Sequence, residues 1–318
     1  MKRKAKFLLF LFLLLLIGGC EEVDSVQNHV EQFYENDEGL IHAYPQDQDS
    51  EYLSESIGLY LEYLLLIEDQ KAFQKQVENL KNHFLIKQHD FLFVQWRLNH
   101  NATTNALIDD VRIISVLGRA AHHFGIEDYN DLAEELSSTI ANTQKVEDYT
   151  VDFYDWTLSL PAQRLTLSYL NKAHLVSKSS ISLLQTTEGS KIFFPEYYDT
   201  RLHEYSQNEE VHMIDQLLIA INREQAGVPS MLFLDWIKKE WNSTHKLYGR
   251  YNRETQNSAV DYESLAVYYY LSFYFSLMNE EKLALEVVKH AKEIATEDML
   301  EQAHFFDYIH YQMMIHEY

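Results

Sequence analysis

Apolar residues return every three to four positions through almost the whole of this 318-residue chain, and little interrupts them. Nine glycines and four prolines are few for the length. Such a chain has few places to turn, so it is committed to long helices joined by short connections. The periodicity predicts helices near 26–35, 54–67, 69–84, 105–124 and 128–144. In the second half it predicts 161–174, 177–187, 209–226, 230–247, 262–278, 280–295 and 298–318. In the third of these, Phe73, Val77, Leu80 and Phe84 mark one face. Gly125 and Gly227 stand where helix C′ glycines are expected, and Pro161 and Pro229 stand near helix starts. Asp90–Trp96 is the best strand candidate.

About twelve helices in sequence, with no Pro/Gly/Ser-rich linker between them, predict one all-α domain. A closed ring of helical hairpins, the (α/α)6 barrel, suits that count. An open helical-repeat solenoid is the alternative, and the lack of a fixed-period side-chain repeat counts against it.

Residues 1–20, MKRKAKFLLFLFLLLLIGGC, stand apart. Lys2, Arg3, Lys4 and Lys6 precede an apolar run from Phe7 to Ile17, short for a membrane span. Ile17-Gly18-Gly19-Cys20 resembles a bacterial lipobox, which implies lipidation at Cys20. The expected organisation is a lipoprotein signal peptide at 1–19, a tether at 20–25 and the helical domain at 26–318. Read as an uncleaved anchor instead, the segment still places the domain on the extracytoplasmic face of the membrane. Cys20 is the single cysteine, so an intramolecular disulfide is excluded.

The formal charge is −23, and −27 without the four signal cations. That excludes nucleic acid as a natural partner and disfavours polyanions. No Gly-rich phosphate loop, H-E-x-x-H or G-x-S-x-G is present, so no cofactor is implied. His122-His123 at a helix end point apart and make a poor metal site, so no metal is expected.

Ser54-Glu55-Ser56-Ile57-Gly58-Leu59-Tyr60, followed by Asp69 and Phe73, resembles the S-E-G-Q-G-Y-G-M signature of glycoside hydrolase family 8. A second block, Ala102 to Ile113, is similar to the family's A-T-D-A-D-L-x-I-A segment. Asp110 takes the place of its second aspartate and Val111 that of its leucine. The resemblance implies an inverting, endo-acting glycosidase with Glu55 as general acid and Asp110 holding a sugar hydroxyl. The third carboxylate, the base, falls at Asp215 in a predicted helix, or at Asp199 within Tyr198-Asp199-Thr200-Arg201 in a predicted loop. This chain departs from the family at Ser56, Ile57 and Tyr60, and has Ile108 in place of the second block's first aspartate.

The chemistry asks for the same residue types. Glycosidic cleavage needs one protonated carboxyl for the leaving oxygen and one ionised carboxylate on the opposite face of the sugar. Sugar rings stack on aromatic planes, and Trp96, Tyr154, Trp156, Tyr197 and Tyr198 fall in predicted loops, as groove candidates. Tyr268, Tyr269, Tyr270, Phe273 and Tyr274 crowd one helix and read as core. The resemblance implies a β-linked polysaccharide substrate, and a tether on the extracytoplasmic face points to the cell's own exopolysaccharide, trimmed beside a synthase complex. A non-catalytic glycan-binding or synthase-associated lipoprotein on the same fold is the alternative, motivated by Ser56 and Ile57.

Overall fold

The computed structural model describes residues 23–45, 47, 49–98, 102–171, 176–186 and 191–318. The signal segment and Cys20 lie outside the described residues, as does the end of the helix expected at 161–174. Among those described there are twelve α-helices. They are α1 (Val23–Phe33), α2 (Ser54–Leu66), α3 (Gln70–Asn79), α4 (Leu107–Phe124), α5 (Glu127–Thr143) and α6 (Lys178–Thr186). Then follow α7 (Met213–Gln225), α8 (Met231–Thr244), α9 (Leu265–Leu277), α10 (Glu281–Ile294), the single turn α11 (Glu297–Leu300) and α12 (Phe305–Glu317).

Two sequence types sort these helices into two layers. α2 (SESIGLYLEYLLL) and α9 (LAVYYYLSFYFSL) bury residues on nearly every side, as an inner wall must. α3 and α10 carry one apolar stripe each: Phe73 and Val77 in the first, Ala284, Val287, Val288 and Ala291 in the second. The inner ring runs α2, α4, the 3₁₀ turn Leu167–Tyr169, α7, α9 and α12, and α12 packs back against α2 to close it. The outer layer is α1, α3, α5, α6, α8 and α10. Tyr34 of the turn after α1 lies edge-on to Phe305, and Phe233 and Trp241 of α8 meet Tyr274 and Tyr268 of α9. This is the (α/α)6 barrel, with one inner helix reduced to a short turn among the described residues. No helix among the described residues is long and apolar enough to cross a membrane.

Gly58 sets how closely α2 and α4 approach. A Cβ there would sit 3.2 Å from Ile113 Cγ1 and 3.3 Å from Arg112 Cδ, tighter than ordinary packing allows. The glycine thus holds the first turns of the two helices side by side.

Several predicted elements differ. The strand expected at 90–96 is a hairpin arm, Phe91–Val94, paired antiparallel with Leu85–Gln88. Residues 160–169 are not helical: Leu160–Pro161 and Arg164–Thr166 are extended, and a 3₁₀ turn follows. The Asp152 carboxylate accepts from the Thr166 N–H (2.5 Å) and hydroxyl (2.7 Å) and from Arg164 Nε (3.0 Å). Those bonds hold the segment extended, and Leu165 pairs with Tyr198. Glu210–His212 is a strand paired with Arg250–Asn252, so α7 begins only at Met213.

Candidate active site

In four of the five inner α-helices of the ring, all but α9, an acid occupies the first turn. Glu55 opens α2, Asp109 and Asp110 open α4, Asp215 opens α7 and Asp307 opens α12. The partial positive charge of a helix N-terminus favours acids there. Because the inner helices run in one sense, these turns gather at one end of the barrel. Glu55, Asp215 and Asp307 line the same open cavity of about 350 Å³, with Arg112, His212 and His304. Ile108, Tyr169, Tyr270 and Phe306 complete much of its wall.

The two family-type carboxylates have different surroundings. No hydrogen bond joins the Glu55 carboxyl to another described group. Its pKa is pushed up to about 7 from an ordinary 4.5, first by burial and then by the negative charge of Asp109. Arg112 opposes this and Asp307 adds to it. Burial without a compensating donor disfavours the ionised form. Asp215 is a third exposed, accepts from Ser168 Oγ at 2.8 Å, and has His212 Nδ1 3.8 Å from its Oδ2. Burial lowers the His212 pKa.

Asp109 rather than Asp110 faces Glu55. The Asp109 carboxylate accepts from Ser54 Oγ (2.8 Å) and from Arg112 Nη1 (3.0 Å), which ties the starts of α2 and α4 together. Asp110 was expected to hold a sugar hydroxyl, and the structure corrects this. Its side chain is 3% exposed and does not line the cavity. One oxygen accepts from Asn105 Nδ2 (2.5 Å), in a buried network that continues through Gln144 to the Val151 carbonyl. The same Asn105 accepts from the Tyr154 N–H at 2.7 Å, so Asp110 anchors the neighbouring hairpin. Ile108, at the position of the family's first aspartate, is the α4 residue that reaches the cavity.

The two candidates for the base separate cleanly. Asp215 lines the cavity. Asp199 sits at the end of a short outer strand, where it accepts from the Arg201 and Leu202 N–H groups, a turn cap remote in role from the cavity wall.

None of the five groove aromatics lines the cavity. Tyr154 stacks on Phe93, ring centres 5.5 Å apart with planes 3° from parallel, and Trp156 leans on the same ring. Tyr197 lies under the Arg164 guanidinium, and Tyr198 is buried against Tyr149 and Tyr205. Short strands carry Tyr154, Tyr197 and Tyr198, and Trp156 sits in the turn that follows Tyr154–Asp155. Trp96 is half-buried beneath Arg97, and its carbonyl accepts from the Ser54 N–H at 2.9 Å, beside the start of α2. Tyr270, expected in the core, is buried there and also borders the cavity, its hydroxyl 2.9 Å from His310 Nε2. Asp307 escaped the sequence reading, since His304-Phe305-Phe306-Asp307 matches no family block. No group of three or more metal-ligating side chains occurs among the described residues.

No family model matches the chain. YdaJ of Bacillus subtilis (strain 168), described as a candidate lipoprotein, is 32% identical over 267 residues, covering 80% of this chain and 72% of that protein. The crystal structure of PssZ from Listeria monocytogenes is 34% identical, with a TM-score of 0.85 over 92% of this chain and 94% of PssZ. A structure described as an α-amylase from Clostridium perfringens superposes with a TM-score of 0.80 at 18% identity, covering 92% and 96% of the two chains. Endoglucanase Cel10 from Klebsiella pneumoniae, a family 8 glycosyl hydrolase, gives 0.60 at 15% identity, covering 85% and 99%. The chain therefore belongs to the family of YdaJ and PssZ, a divergent set built on the (α/α)6 barrel of the family 8 glycoside hydrolases.

Proposed function

We propose that this protein is a membrane-tethered glycoside hydrolase that cuts β-linked polysaccharide within the chain and inverts the anomeric centre. One observation carries the reading. Glu55 and Asp215 face one open cavity, and burial pushes the Glu55 pKa up to about 7, whereas Asp215 is a third exposed and accepts from Ser168. Two carboxyl groups whose surroundings differ in this way are what an acid–base pair requires. Glu55 donates its proton to the glycosidic oxygen as the bond to the anomeric carbon breaks. Asp215 accepts a proton from the water that attacks that carbon from the opposite face. Ser168 fixes one oxygen of Asp215, which leaves the other for the water. His212 stays neutral beside it and does not quench the base.

The fold likeness and the basic, apolar segment ending at Cys20 support a tethered enzyme that trims exopolysaccharide as it leaves the cell. The charge of the chain favours a neutral or amino-sugar polymer over a uronic acid polymer.

The test is a screen of the detergent-solubilised protein for new reducing ends. The polymers are β-1,4-glucan, xylan, chitosan, starch and the polysaccharide extracted from the producing cells. Starch is included because one structural neighbour is described as an α-amylase. Wild type releases reducing ends from at least one polymer and Glu55→Gln releases none. Proton NMR of the fresh product shows the inverted anomer. A wild type that releases nothing from any of the five refutes the hydrolase. The glycan-binding alternative rests on Ser56, Ile57 and the apolar Ile108 in the cavity wall. It predicts binding to these polymers with no cleavage.

A further inference from the structure

The α4 wall of the cavity presents Ile108, which has no hydrogen-bonding group to offer a sugar, while Asp110 is turned away into its own network. A polyhydroxylated ligand held between Glu55 and Asp215 still needs an acceptor to orient it. α12, on the other flank of α2, brings one. Asp307 lines the cavity from the first turn of that helix.

Its two oxygens are used unequally. Oδ1 accepts from Ser264 Oγ at 2.6 Å and from the Ala266 N–H at 2.9 Å, both at the start of α9. Among the described residues, no hydrogen bond is made to Oδ2. Helix α9 already has an N-cap, because Ser264 Oγ accepts from the Val267 N–H at 3.3 Å. The Asp307 carboxylate is thus clamped on one side and open on the other. Ionised, it only accepts, and the hydroxyls of a sugar are donors of the right kind.

We propose that Asp307 is a substrate-binding residue: with Oδ1 fixed to the start of α9, its Oδ2 accepts a hydroxyl hydrogen of the sugar bound between Glu55 and Asp215. It takes over, from α12, the positioning task that the resemblance placed on α4. The proposal rests on the cavity being a glycan site, as the hydrolase reading holds, but not on cleavage.

Calorimetric binding therefore tests it, with Glu55→Gln as the background so that no ligand is consumed. The probes are hexasaccharides of β-1,4-glucose, xylose, N-acetylglucosamine and glucosamine, and maltohexaose. Asp307→Asn keeps an amide oxygen for Ser264 and Ala266 and removes the charged acceptor. It is expected to weaken the best-binding probe by roughly 10- to 100-fold, the worth of a hydrogen bond to a charged group. Its melting temperature is expected to stay near that of the background. Ser264→Ala is the control for a merely structural role: it takes away one of the two donors to Oδ1 and the cap of α9 but leaves the carboxylate. It is expected to lower the melting temperature and leave binding nearly unchanged. Equal binding by Asp307→Asn and the background overturns the proposal, as does equal weakening by both variants. If wild type cleaves a polymer and Asp307→Asn binds normally, this proposal falls alone. If nothing is cleaved but binding depends on Asp307, the hydrolase reading falls and this one stands. If no probe binds, both fall.

Discussion

Replacing the presumptive acid should make the folded protein more stable in mildly alkaline buffer while abolishing its chemistry. Glu55 is held at about 7 against an ordinary 4.5. Ionising it in the folded state therefore costs about 3 kcal/mol more than in the unfolded chain, at about 1.4 kcal/mol per pKa unit. The sign follows from proton binding. Below pH 4.5 both states hold the proton, and Glu55 does not disturb stability. Between 4.5 and 7 the unfolded chain releases it and the folded protein keeps it, so stability falls with rising pH. Above 7 the folded protein also ionises, and the loss levels off at about 3 kcal/mol.

Glutamine has nearly the same shape and no charge to desolvate. Glu55 also makes no hydrogen bond to another described group, so Glu55→Gln breaks no bond seen in the structure. Wild type and variant should melt together at pH 4.5. At pH 8 the variant should melt higher, by ~5–10 °C on the usual scaling of melting temperature with free energy. Calorimetric or dichroism melts at half-unit pH steps measure the divergence directly. Parallel curves from pH 4.5 to 8, or a variant less stable at pH 8, would refute the claim that burial holds this carboxyl protonated. The same wild-type protein should lose kcat/KM above about pH 7, as its general acid ionises.

Three other substitutions follow from the site and its sequence alternatives. Arg112→Ala leaves Asp109 buried with its guanidinium partner gone, and should cost about 3–5 kcal/mol, read from the urea midpoint. Asp215→Asn should lower kcat by roughly 10²–10⁴-fold without a matching loss of stability. Asp199→Asn should leave kcat within error of wild type, because that carboxylate caps a surface turn. A reversal of those last two results would move the base out of the cavity.

What the sequence made legible is what local spacing encodes. The three-to-four periodicity of α3, which runs on through a π-helical turn at Leu80–Phe84, and the apolar run of α9 place those helices to within three residues at either end. Glu55 was legible as an acid that opens a helix, whereas Asp215 read as a residue inside a helix at 209–226, whose start the strand Glu210–His212 moves to Met213. The choice between Asp109 and Asp110 was not legible. Neighbouring helical residues point about 100° apart. Which of the two faces Glu55 depends on how α4 is rotated, and that is set by Gly58, Ile113 and the rest of the α2 interface. The aromatics failed for a similar reason. Tyr154 and Tyr198 sit in strands two or three residues long, too short for any alternating pattern to show, and pairing turned them onto Phe93, Tyr149 and Tyr205. Pro161 misled in the same way: a proline that suits a helix start also suits a strand end, and the Asp152 bonds to Thr166 decided the matter.

Asp307 shows why a ring hides part of its site from a linear reading. It lies 252 positions after Glu55, on the last helix, and comes near only because α12 closes onto α2. Nothing in its own neighbourhood marks it as different from any acid that opens a helix. The ring gives every such acid the same favourable helix terminus, worth roughly 0.3–1 kcal/mol at an exposed site. That shared term cannot distinguish proton donor from acceptor, so the distinction must come from what surrounds each one. Glu55 is packed away from donors and beside Asp109, and burial outweighs its helix terminus. Asp215 is a third exposed and keeps a serine hydroxyl, and Asp307 keeps the start of α9. The division of labour proposed for these three chemically similar acids is therefore a property of the closed barrel, written in Ser168, Ser264 and the α2–α4 contact as much as in the acids themselves.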